Sequence, residues 1–228
     1  MDFKIFVASF QNHAIMDSGG GNMPKITFNS VEDLLVQYRN GTRFFQDSAL
    51  FPANLQGVVL EGSILFDIDL SKALCQEANL KEAFFTMVHL KGANLHKADL
   101  RKAILKSCCL DSVNLSMAKL QEARIDGNQI NGANLTQADL RFVRASNAFL
   151  VGSDLKYSNW NGADLRDTSL WKANLEMTCL ENTLLQGANL LSTNLSKTRF
   201  KGAQYDLRTS FPFGFEPLEH RMIFEKIL

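Results

Sequence analysis

Between Leu50 and Tyr205 the chain repeats every five residues without a single insertion. Stepping by five from Leu50 gives 32 centres, and leucine fills 24 of them. The others are Cys75, Phe85, Ile125, Ile130, Ala145, Trp160, Phe200 and Tyr205. Alanine stands two residues before the centre in 16 of the 32 cases, and Ser, Thr and Val take most of the rest. No regular secondary structure has this period. A helix turns ~100° per residue, so a step of five rotates a side chain by ~140° and scatters the leucines around the axis. A strand alternates faces, and five is odd, so successive leucines would land on opposite sides. Within one pentad, however, the small residue and the leucine are two apart and share a face. Every pair can face the same way only if the chain turns between pentads, always in the same sense. Such a chain winds into a solenoid, with two residues of each five inside and three outside.

The segments "ANLHKADLRKA", "ANLTQADL" and "ADLRDTSLWKANL" resemble the A-(D/N)-L-x-x consensus of the pentapeptide-repeat family. The match covers residues 48–207, about 70% of the chain. The resemblance implies an all-β solenoid, a right-handed quadrilateral β-helix in which four pentads make one coil, hence about 8 coils. At ~4.8 Å between stacked strands the rod would be ~38 Å long.

A solenoid needs a cap at each end. Before the repeats, "NSVEDLLVQYRNG" carries an S-x-x-D box at Ser30 and Asp33, an apolar stripe of Leu34, Leu35 and Tyr38, and a stop at Gly41. This predicts a helix over 31–39 that covers the N-terminal end. The helix and the following Gly41, Arg43 and Phe45 resemble cyanobacterial members of the family. So does the tail "TSFPFGFEP", with Thr209, Phe211, Pro212, Gly214, Phe215 and Pro217 in a T-x-F-P-x-G-F-x-P pattern. The chain thus divides into an N-terminal extension (1–28), a capping helix with the turn that follows it (29–47), the solenoid (48–207) and an irregular C-terminal cap (208–228).

Residues 20 apart should stack, which sorts the exterior into columns. One column is Asn54, Leu74, Asn94, Asn114, Asn134, Asp154, Asn174 and Asn194, read as an amide ladder that steadies the coils. A second carries Ile64, Phe84 and Ile104, flanked by Phe66 and Met87, then Arg124 and Arg144. Its apolar part is either a partner surface or the seat of "FKIFVASF" (Phe3 to Phe10) folded back as a strand. Arg124, Arg144 and Arg166 are read as an ion-pair network with Asp126, Asp164 and Asp167. A third face gathers Phe149, Val151, Trp171 and Leu191. It is either a partner site, for which an outward tryptophan is apt, or the seat of the tail from Met222 to Leu228. Inside, Trp160 is large for a leucine slot, Ala145 on the next face leaves it room, and Asn128 must find a buried partner.

Catalytic motifs are missing. There is no GxxxxGK[ST], HExxH or GxSxG, and the four cysteines form no metal-binding spacing. They read as reduced thiols. No run approaches a membrane span, and no signal peptide is evident, so a cytoplasmic location is expected. Asp plus Glu equals Lys plus Arg at 24 each, which speaks against a nucleic-acid binder. The expected function is a non-enzymatic protein-interaction scaffold or regulatory adaptor, with a protein partner and no cofactor, metal or small-molecule ligand. The resemblance to cyanobacterial members implies regulatory roles such as those linked to heterocyst patterning. The alternative is a DNA mimic that binds a type II topoisomerase, as the quinolone-resistance members of the family do. Residues 48–207 hold 16 acids and 17 bases, a balance that opposes this alternative.

Overall fold

The computed structural model describes residues 30–46, 50 and 53–226. Helix α1, Val31–Arg39, comes first. Ser30 caps it by accepting the Asp33 N–H at 3.1 Å, while the Asp33 carboxylate accepts from Gln37 Nε2. Leu34 is buried in the core, and Val31, Leu35 and Tyr38 pack against it half-buried. Tyr38 ties the helix to the first coil by donating to the Glu61 carbonyl at 2.9 Å. Arg43 lies 4.0 Å over the Tyr38 ring.

Four short strands follow: β1 (Phe44–Gln46), β2 (Ile64–Phe66), β3 (Phe84–Thr86) and β4 (Ile104–Lys106). They pair in parallel, in order, each residue with one twenty further on. The same step of twenty runs through isolated bridges such as Asn54↔Leu74, Val59↔Asn79 and Asp69↔His89, continuing to Cys179↔Arg199 and Leu184↔Gln204. The fold is therefore a parallel β-helix with twenty residues per coil and four ladders. Pairing reaches back to β1, whose Phe45 is fully buried. The five-residue phase thus starts inside the stretch assigned from sequence to the capping turn.

Every centre from Leu55 to Leu190 is buried, together with the residue two before it, save half-buried Val58. Local chemistry shapes the corners. The outward Asn or Asp before a centre accepts the backbone N–H two residues on: Asn94 from His96 at 3.1 Å, Asn134 from Thr136 at 3.0 Å, Asp69 from Ser71 at 2.8 Å. This is why the consensus carries Asn or Asp there. Two residues after the centre the backbone is left-handed, as at Lys72 (φ 57°) and Glu77 (φ 58°), or holds glycine. Gly162 has a further reason. A Cβ there would lie 2.6 Å from the Phe142 ring of the preceding coil.

Trp160 is fully buried, and its Nε1 donates to Ser158 Oγ at 2.8 Å. Asn128 finds the partners it requires. Its Oδ1 accepts the Cys108 N–H and its Nδ2 donates to the Leu105 carbonyl, both at 2.8 Å.

At the C-terminal end, β5 (Gln204–Tyr205) pairs in parallel with β6 (Ile223–Phe224). Between them a 3-10 turn, Pro217–His220, and the tail aromatics close the core. Phe211 stacks on Phe215 (5.0 Å), Phe215 on His220 (4.5 Å), and Phe200 meets Phe215 edge-on (5.3 Å). Asp206 anchors this cap. Burial pushes its carboxyl up, but the Gly187 N–H, the Arg208 guanidinium and Thr209 more than offset that, and its pKa lies below the usual carboxylate range.

Candidate functional site

The third face is built by one ladder and the corner beside it. Phe149 sits on the ladder between Gln129 and Ser169. Val151, Trp171 and Leu191 open the next corner on three successive coils. The bonds Gly152 N–H to Trp171 O (2.9 Å) and Lys172 N–H to Leu191 O (3.1 Å) hold them in a stack. Asn131 Oδ1 accepts from the Val151 N–H at 3.1 Å, and Asn189 Oδ1 from the Leu191 N–H at 3.0 Å. Phe149, Trp171 and Leu191 are 49%, 40% and 43% exposed, while Val151 is half-buried. The Lys172 ammonium lies 4.1 Å over the Trp171 ring, a cation–π contact that places a positive charge on one face of the ring.

The tail takes a different path from this face. Ile223–Phe224 adds to Gln204–Tyr205, on the ladder that runs from Phe44 through Ile64 to Leu184. Among the described residues nothing covers the Phe149–Trp171–Leu191 stack.

The second patch is less open than its sequence suggests. Ile64 is buried, Phe66, Phe84 and Ile104 are half-buried, and Met87 is exposed. The strand expected from Phe3 to Phe10 lies outside the described residues. Farther along the same ladder, Arg124 approaches Asp126 at 3.7 Å, Arg166 grips Asp164 at 2.7 Å, and Asp167 pairs with Arg208 at 2.8 Å. The Arg166 guanidinium holds the Asp164 carboxyl below its ordinary pKa. Two arginines of the cluster are thus ion-paired, whereas Arg144 makes no ion pair among the described residues and Asp167 pairs outside the cluster. The amide column is structural too, with Asn114 Nδ2 donating to Asn94 Oδ1 (3.0 Å) and Asn194 Nδ2 to Asn174 Oδ1 (3.2 Å).

Sequence reasoning overlooked other exposed apolar side chains. Met117, Tyr157 and Met177 occupy one corner column, and Phe142 is the most exposed aromatic of the coils. The same phase that placed the leucines inside places these corner residues outside, so the signal was present.

Chemically reactive groups are scarce. Burial pushes the Cys75 thiol to about 12 and the Cys108 thiol to about 11, so both are protonated at neutral pH. His96 Nδ1 lies 2.8 Å from Ser116 Oγ, and that hydroxyl in turn donates to Asn114 Oδ1 at 2.7 Å. Among the described residues no cluster of His, Cys, Asp and Glu could hold a metal ion, and no helix is long and apolar enough to cross a membrane.

Comparison with known proteins follows from this geometry. The family model "Pentapeptide repeat region" matches residues 78–155, and "Pentapeptide repeats (8 copies)" matches 150–187 and 180–204. No curated protein matches the sequence. Among solved structures, the chain is similar to HetL of the cyanobacterium Nostoc sp. strain PCC 7120, a pentapeptide repeat protein involved in heterocyst differentiation regulation. The two are 27% identical over 77% of this chain and 97% of HetL, with a TM-score of 0.43. It is 30% identical to alr5209, a pentapeptide repeat protein of Nostoc PCC 7120, over 49% of this chain and 84% of that one, with a TM-score of 0.27. QnrB1, a plasmid-mediated fluoroquinolone resistance protein, is 17% identical over 81% of this chain and 94% of QnrB1, with a TM-score of 0.45. With the five-residue phase, the step of twenty and the two family models in agreement over residues 78–204, the chain belongs to the pentapeptide-repeat family.

Proposed function

We propose that this protein is a non-enzymatic, cytoplasmic protein-interaction scaffold or regulatory adaptor. Its four ladders are read as the sides of a right-handed quadrilateral β-helix of about 8 coils. The single observation that carries the reading is the open stack of Phe149, Trp171 and Leu191. Aromatic residues on a rigid backbone lose little entropy when a partner covers them, and they dominate interface energetics. The coils hold that stack in place on three successive turns.

The test is an affinity pull-down with the full chain and with Trp171→Ala. Trp171 is outside the core, so the substitution should leave folding within about 0.5 kcal/mol. A partner captured by the wild type and lost on Trp171→Ala supports the reading. Identical partners for both proteins would move the site elsewhere. The second reading, a DNA mimic, requires an acidic rod, and the exterior is neutral. A gyrase supercoiling assay without inhibition or protection by the added protein disposes of it.

A further inference from the structure

The C-terminal cap closes the solenoid unevenly. On one side β6 lies on β5. On the next, Ser210 bridges Asn189. On a third, the Phe215 and His220 rings cover Phe200. The fourth side, 193–197, has nothing stacked on it among the described residues.

One coil below, Leu175 N–H donates to Asn194 O and Met177 N–H to Ser196 O, both at 2.9 Å, while Asn194 N–H donates to Ala173 O at 3.2 Å. The equivalent groups of the last coil are the N–H groups of Leu195 and Lys197 and the carbonyl of Thr193. None has a hydrogen-bond partner among the described residues. The side chains agree with the backbone. Ala173 and Leu175 are buried, whereas Thr193 and Leu195 in the same inward slots are only half-buried. This is a parallel sheet edge with a ready pattern of two donors and one acceptor.

Charge selects the occupant. From Leu190 to Tyr205 the last coil carries Lys197, Arg199 and Lys201 and no acid. Arg221 adds to this rim, its carbonyl accepting from Gly202 N–H at 2.9 Å. In the coil below, Glu181 is engaged by Arg199 at 3.0 Å and Glu176 by Lys156 at 3.2 Å. Glu216 and Glu219 belong to the tail that covers the neighbouring side. A second copy meeting this one end to end would set Lys197 and Lys201 against their own counterparts, which disfavours self-association.

We infer that the 193–197 edge captures an extended, acidic peptide segment of a partner protein by strand addition. The segment runs parallel to the edge. One residue both donates to the Thr193 carbonyl and accepts from the Leu195 N–H. The carbonyl two residues later accepts from Lys197. A small residue covers Thr193, a leucine-like residue covers Leu195, and acidic flanks face Lys197 and Lys201. The inference does not rest on the Trp171 face, although the corner at Leu191 and Ser192 joins the two surfaces.

The test uses the full chain and a fluorescent peptide, "EEANLEE", which carries the solenoid's own inward spacing. In the free protein, the Leu195 and Lys197 amides should exchange with solvent faster than those of Leu175 and Met177, and the peptide should slow them. Binding read by anisotropy should vanish for "EEANDEE". It should weaken about tenfold for Lys197→Glu combined with Lys201→Glu, and also as salt is raised. Trp171→Ala should leave it unchanged, so this inference and the scaffold reading can fail separately. Protection of Leu195 equal to that of Leu175 in the free chain would overturn the proposal, because the edge would already be occupied. No slowing by the peptide would overturn it as well. So would a dimer, seen by light scattering, that protects 193–197 by itself.

Discussion

The inward small-residue slots are filled differently in the two halves of the solenoid. From Ala53 to Ala148 they hold alanine, valine or isoleucine, with Ser63, Cys108 and Asn128 as the exceptions. From Ser153 to Ala203, seven of eleven are serine or threonine. The hydroxyls of the second half are all satisfied. Ser153 donates to Ile130 O at 2.8 Å, Thr178 to Leu155 O at 2.7 Å and Thr198 to Leu175 O at 2.6 Å, each in the coil below. Ser158, Thr183 and Thr193 donate to carbonyls of their own corners. Every corner turns a carbonyl toward the slot of the coil above, and a carbonyl has a second lone pair. A hydroxyl can therefore replace a methyl wherever a complete coil lies beneath it. Ser63 uses neither route: its hydroxyl makes no bond to the Leu60 carbonyl of its own corner, and the coil beneath is incomplete. The residue twenty-three before it is Asn40, at the end of α1, where no coil corner has yet formed. Its hydroxyl is buried without a partner among the described residues.

The largest test of this contrast is Trp160→Ala. It removes the bulkiest buried side chain and the partner of Ser158, and should cost about 3–5 kcal/mol, read as a fall in the urea midpoint. A loss near 1 kcal/mol would mean that the second half repacks around the gap. Asn128→Ala comes next. It strands the Cys108 N–H and the Leu105 carbonyl in a dry interior, for an expected loss of about 1–3 kcal/mol. The paired test is sharper though smaller. Thr178→Val deletes a satisfied hydroxyl and should destabilise by about 1 kcal/mol. Ser63→Ala deletes an unsatisfied one and should be neutral or stabilising by up to about 1 kcal/mol. Equal effects from the two would break the distinction between the halves.

The smallest expected effect concerns pH and the C-terminal cap. The folded pKa of Asp206 lies below its ordinary value of 3.8. Its contribution to stability is complete above that ordinary value and is lost as pH falls through the folded one. Asp206→Asn should therefore flatten the acid limb of a melting-temperature profile below about pH 4 while leaving neutral-pH folding cooperative. An unchanged acid limb would remove Asp206 from the cap's electrostatics.

Much of this architecture could be read in one dimension because its contacts repeat. Once Leu50 to Tyr205 keeps its phase the leucines must face in, and with the four-pentad coil that the family resemblance implies, residues twenty apart stack and the Asn and Arg columns follow. Helix α1 was equally legible, since Ser30, Asp33, Leu34 and Gly41 act through local spacing. The overlooked Phe142, Tyr157, Met117 and Met177 were recoverable from the same phase. The exposure of the candidate face was not. Whether Trp171 is open depends on where Met222 to Phe224 travels, and that path is set by hydrogen bonds of Ile223 to Ala203 and of Glu225 to Tyr205 across the cap. Nor could the sequence alone show that 193–197 is left bare among the described residues, because the chain that follows departs from the repeat and covers the three other sides.

By itself, then, the order of residues determined which side chains face in and where the chain turns, while the coil of twenty came from the family resemblance and from the strand pairing. The facing and the turns follow from a periodicity that only one kind of winding can satisfy. The tertiary structure alone decided which exposed surfaces stay exposed, because the tail and the helix meet the coils through contacts distant in sequence that have no repeat to announce them.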